Sequence, residues 1–250
     1  MAQKIYLLFC MLGLALLGGC DTNSSSNSAS PETPPEPTPI VLEQDTVDLP
    51  SPAQPAHTPG SPGVVVDNPA LLSQFGSTGG NLNNARYTRY FLSDRAGSQP
   101  DAILVLVPGF LGGASSFARL AEQLLHRARE EHSLSMEVWA LDRRSNQLED
   151  TAALDLAEEM NDPNVGLNFL FGKELGLELS EPLVKGFNRR VIFYNSSSDT
   201  AFMAQWTPLV HSIDIDTVVE KARETAAGGN VYLGGHSAGT GYLARYAATD

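Results

Sequence analysis

The sequence predicts an α/β domain built on a doubly wound, mostly parallel sheet with helices on both faces. Three observations predict it. Ala102–Val107 is an unbroken apolar run of six, closed by Pro108-Gly109. Met136–Leu141 and Val231–Leu233 are further short apolar runs, and amphipathic stretches separate the three. Continuous apolar runs of this length suit strands buried on both faces of a parallel sheet. Strand, helix, strand at such spacing forms a βαβ unit, and its sheet should be parallel.

Taken in order, Ala85–Leu92 ("ARYTRYFL") reads as a strand, rich in aromatics and partly alternating. Ala102–Val107 follows as a central strand. Ser116–Glu130 reads as a helix, because Phe117, Leu120, Ala121, Leu124, Leu125 and Ala128 recur at helical spacing. Met136–Leu141 is the next strand. Thr217 and Glu220 form a possible capping box for a helix running to about Ala227, with Val218, Val219, Ala222 and Ala226 inward and Gly228-Gly229-Asn230 as its stop. Val231–Leu233 is a short strand, and Thr240–Thr249 another helix. Residues 161–212 exceed what a βαβ crossover needs. With aromatics such as Phe169, Phe171, Phe193 and Trp206, they read as a lid insertion or as structural padding.

The amino-terminal quarter is of another kind. Met1–Gly19 has the plan of a signal peptide: Lys4, the apolar run Ile5–Leu17, then small residues. A bilayer span needs roughly 20 apolar residues, so the run is short for one. Residues 20–66 are rich in Ser, Asn, Pro, Thr and acidic side chains, and no Lys or Arg occurs between Lys4 and Arg86. Such a segment buries too little apolar surface to offset chain entropy and is expected to be a disordered tether. The globular domain is thus expected over 67–250.

Composition excludes several functions. A net charge of −13 argues against a nucleic-acid partner. Both cysteines, Cys10 and Cys20, lie in the leader, and the five histidines show no HxxxH or HExxH spacing. Neither a disulfide framework nor a metal site is expected in the domain.

Gly235-His236-Ser237-Ala238-Gly239 is a G-x-S-x-G sequence between an apolar strand and a helix-compatible stretch. That context makes a tight strand-to-helix turn, with Ser237 as candidate nucleophile at the carboxyl edge of the sheet. Pro108-Gly109-Phe110-Leu111-Gly112-Gly113 follows the first buried strand, where an oxyanion hole needs one backbone N–H. Phe110, or alternatively Leu111, is the candidate donor there, and Ala238 is the second.

These segments, with "LDRRS" at 141–145, resemble the α/β-hydrolase superfamily of the esterase and lipase kind over residues 85–250. The resemblance implies a serine hydrolase cleaving carboxylic esters or related acyl substrates, small or lipid-like, with no metal or organic cofactor. Asp142 and Arg144 match a family pattern with Ser145 in place of its glycine, and are expected to hold loops near the site. A triad acid and a His base should follow Ser237 in the family order, yet only thirteen residues remain, with Asp250 and no histidine. The chain therefore reads as the amino-terminal part of such a domain. His236 points away from its neighbour Ser237, and His126, His132 and His211 match no family position; His211 is the substitute base should no other exist. Leu17-Gly18-Gly19-Cys20 resembles the bacterial lipobox, which implies lipidation of Cys20 and an envelope-anchored protein, on the inner or the outer membrane. The alternative to an enzyme is a non-catalytic lipoprotein serving as a binding or scaffold module.

Overall fold

The computed structural model describes residues 39–249. The expected signal peptide, Cys20 and the part of the expected tether up to residue 38 lie outside the described residues. Five strands form the sheet: β1 (Leu42–Pro50), β2 (Asn84–Leu92), β3 (Ala102–Val107), β4 (Met136–Asp142) and β5 (Val231–Gly235). Their order is β1-β2-β4-β3-β5. β3 runs parallel to both its neighbours, β4 and β5, as a buried apolar run should. The other two pairings, β1 with β2 and β2 with β4, are antiparallel. The protein is α/β, but its sheet is mixed rather than mostly parallel.

The outer strand of the antiparallel half, β1, comes from a segment expected to be tether, whereas β2 lies where a strand was expected. Residues 42–50 form the outermost strand, and residues 51–66 continue as ordered chain that buries Ser51, Thr58 and Ser61. β1 was illegible because it is a mostly exposed edge strand whose acidic residues look like those of a linker. Those charges blunt an edge against foreign pairing. They also meet cations on β2: Asp48 forms a two-pronged pair with Arg86 at 2.7 and 2.9 Å, and Asp45 lies 3.7 Å from Arg89.

Helices cover both faces. On one face Tyr90, Leu92, Leu106, Val138 and Ala140 pack against α2 (Ala118–His132) through Ala121 and Leu125. On the other, Ala85, Tyr87, Ile103, Val105, Trp139 and Leu141 meet Ile215, Val218, Val219 and Ala222 of a long helix, Pro208–Thr225, and Tyr246 of the last one, Ala238–Thr249. Tyr87 stacks on Trp139 with ring centroids 4.4 Å apart in that layer.

The helix expected from Thr217 begins nine residues earlier, with Pro208 at its first position. Thr217 is interior and donates its hydroxyl to the Ile213 carbonyl at 2.8 Å instead of capping. Asp214 and Ser212 interrupt the apolar pattern in the first turns although both are buried, which hid the start.

Four shorter helices complete the fold: one at Pro69–Phe75, and three at Ala152–Glu159, Pro163–Phe171 and Glu181–Gly186. In chain order the seven helices among the described residues are α1 to α7, so the long helix is α6 and the last is α7. The expected lid region thus contains α4, α5 and the first turn of α6. Phe169, Leu183 and Val165 close a small core with Ala153 of α3, while Trp206 packs with Leu71, Leu82 and Leu148. Of the aromatics in this region, Phe169 and Trp206 are packing residues, and Phe171 and Phe193 remain exposed.

Candidate active site

The carboxyl ends of β3, β4 and β5 bring the predicted site residues together. After β5 the chain turns at Ser237, whose φ of +52° puts a non-glycine residue in the left-handed region, and enters α7 at Ala238. Such a conformation costs roughly 1–2 kcal/mol and must be imposed by its surroundings. Here the surroundings are backbone. His236 N–H donates to the Val107 carbonyl at 3.1 Å, and Gly239 N–H donates to the His236 carbonyl at 2.8 Å. The Thr240 hydroxyl donates to the Ser237 carbonyl at 2.6 Å.

Glycine is required on both flanks. A Cβ on Gly235 would lie 2.8 Å from the Gly239 carbonyl and the Thr240 nitrogen, and one on Gly239 would collide with the Val107 carbonyl oxygen. Ser237 and Ala238 are exposed at the turn. Among the described residues the Ser237 hydroxyl has no hydrogen-bond partner, and the Ala238 N–H donates to no protein acceptor.

The glycine-rich loop after β3 lies against this turn. A Cβ on Gly109 would stand 3.0 Å from both Ser237 Cβ and His236 Nδ1, so only glycine allows the approach. Gly112 N–H donates to the Gly109 carbonyl at 3.1 Å, closing a tight turn in which Leu111 takes a φ of +60°. The N–H groups of Phe110 and Leu111 find no acceptor among the described residues. Their side chains are 78 % and 86 % exposed.

β4 supplies what holds the loop. Asp142 accepts from Ala114 N–H at 2.7 Å, in the loop-holding role expected of it; burial raises its pKa, and that hydrogen bond opposes the rise. Arg143 Nη2 and Asn146 Nδ2 both donate to the Gly112 carbonyl, at 3.1 and 3.3 Å. Sequence reasoning missed Arg143 and Asn146. The available signal was their position directly after β4, hence on the same sheet edge as the loop. Arg144 points elsewhere: fully buried, it pairs with Asp214 of α6 at 2.7 and 2.8 Å and binds Asn83, Ser51 and the Ala53 carbonyl.

No histidine is hydrogen-bonded to Ser237 among the described residues. His236 sits against Gly109, and His126 and His132 lie on α2. His211 of α6 packs against the Tyr242 ring, with centroids 5.1 Å apart. Burial lowers its pKa from the usual 6.5; Asp214 opposes this, and Arg143 and Arg144 reinforce it. The unfolded chain thus binds a proton near 6.5 that the folded one resists. Stability should fall as pH drops below that value, by up to about 1.4 kcal/mol per unit until the folded group titrates. Urea unfolding from about pH 7.5 to 5.5 should show this slope, and His211→Gln should flatten it. Equal slopes in the two proteins would sink the assignment.

An open cleft between β1, residues 97–100 and the end of α6 lies at the opposite sheet edge, away from Ser237. Among the described residues no group of three His, Cys, Asp or Glu could hold a metal ion. Compared with known protein families, curated proteins and solved structures, the chain matches none.

Proposed function

We propose that this protein is a serine hydrolase of the α/β-hydrolase kind that cleaves carboxylic esters or related acyl substrates through an acyl-enzyme on Ser237. One observation carries the reading: a serine held at φ +52° between a parallel strand and a helix start, beside a glycine loop with unpaired amides. Backbone strain at an exposed nucleophile is what this chemistry uses. The Ser237 oxygen attacks the substrate carbonyl, and the N–H of Ala238 with that of Phe110 or Leu111 receives the oxyanion. The hydroxyl proton passes to an imidazole base, which returns it to the departing alkoxide so that the alcohol leaves, and water then hydrolyses the acyl-enzyme to free the acid and Ser237.

Export and lipidation at Cys20 belong to the same reading and rest on the leader sequence. None of the helices among the described residues is long and apolar enough to cross a membrane.

Treating the natively expressed protein with a fluorophosphonate probe should label it, and Ser237→Ala should abolish labelling while leaving the melting temperature within a few degrees. The intact mass, recorded together with the label, shows whether further chain accompanies the active form. The missing hydrogen bond to Ser237 favours a second reading, a non-catalytic binding or scaffold module. A natively expressed, folded protein that takes no label decides for it.

A further inference from the structure

We infer that Arg143 is a positioning residue for this reaction, one that fixes the direction of the loop amides by holding the Gly112 carbonyl. The inference rests on the serine-hydrolase reading. The loop is fixed at both ends and free in the middle. Its entry is pinned where Gly109 meets Ser237 Cβ, and its exit is pinned at two successive points, the Gly112 carbonyl and the Ala114 N–H. Between them Phe110 and Leu111 have exposed side chains and unpaired amides, so nothing local sets how those amides point.

Leu111 decides which way they point. A turn with its third residue in the left-handed region interconverts with the right-handed form by rotating the peptide group between the second and third residues. In this turn that group carries the Leu111 N–H. A leucine favours the right-handed form, where glycine would be indifferent. The observed orientation therefore has to be imposed, and Arg143 and Asn146, both on the Gly112 carbonyl, impose it. Arg143 is also poorly satisfied for a merely structural residue, since its Nε is buried with no partner. Local inconsistency of this kind gathers at functional sites.

The test compares Arg143→Met and Arg143→Lys with the unaltered protein on a short-chain p-nitrophenyl ester. Removing an oxyanion donor lowers kcat about 100- to 1000-fold, and misdirecting one should lower it about 10-fold. Arg143→Met should show that loss in kcat with KM changed less than about two-fold, and a parallel loss in the rate of fluorophosphonate labelling. Arg143→Lys, which can still reach one carbonyl, should recover part of it. Unchanged kcat in folded Arg143→Met overturns the inference; so does a change confined to KM. Should Arg143→Met give no cooperative melt, Arg143→Lys decides, with a several-fold fall in kcat expected and an unaltered kcat overturning. An unaltered protein that neither labels nor turns over fails the serine-hydrolase reading itself, a separate and recognisable outcome.

Discussion

Arg144→Ala should lower the unfolding free energy by about 3–5 kcal/mol, the largest effect expected of any substitution outside the sheet core. The reason is burial. Arg144 has no exposed side-chain surface and Asp214 has 9 %, so removing the cation strands a carboxylate in a medium that cannot solvate it. Around the pair, Ser51 donates to Asp214 at 2.6 Å, and Asn83 and the Ala53 carbonyl accept from the guanidinium at 2.9 and 2.8 Å. Three distant stretches of chain meet on one cation. Urea unfolding of Arg144→Ala and Asp214→Asn measures the cost. A double replacement, Arg144→Met with Asp214→Leu, should recover most of it, because two apolar groups of similar volume leave no orphaned charge. A loss under about 1 kcal/mol in Arg144→Ala would show the pair to be solvated and the account wrong.

Gly239→Ala should cost about 2–4 kcal/mol and abolish labelling of Ser237 together. Its new methyl would strike the Val107 carbonyl oxygen and come within 2.8 Å of that of Pro108, both backbone atoms at the end of β3. Neither can rotate aside, so α7 and the end of β3 must part, and the loop beside Ser237 moves with them. Gly241→Ala is the control. It lies two residues on in the same helix, a Cβ there meets nothing within 4 Å, and alanine is the better helix former. That change should stabilise by roughly 0.5–1 kcal/mol. Thermal unfolding and probe labelling of the two variants separate packing at the turn from any general sensitivity of α7. Similar losses in both would refute the packing argument.

How far the sequence could be read depends on whether each signal is local. β3 and β4 were legible because their apolar runs are continuous, and the Ser237 turn because its glycines stand in a fixed frame around one serine. β1 was not, since an exposed, acidic edge strand gains its stability from pairing with β2, which lies about forty residues away. The start of α6 was hidden for a related reason: Asp214 looks like a surface residue until its partner Arg144, seventy positions earlier, is placed. In the site, Ser237, Gly235, Gly239 and the glycine loop could be named from pattern. Arg143 and Asn146 could not, because their meeting with Gly112 follows from β4 lying beside β3, a pairing that no local motif records.

The ordering of residues 39–66 also sets a length. Had the chain been free from Cys20 to residue 66, an anchored domain could have stood as far as ~155 Å from the bilayer, at about 3.4 Å per extended residue. With β1 locked into the sheet, only about nineteen residues separate Cys20 from the first described residue, and the leash shortens to ~65 Å. On the lipid-anchored reading, that length of chain is the most that can separate the anchor from the sheet. Substrates held in that membrane, or just leaving it, are then met at high effective concentration, and those made elsewhere are met rarely.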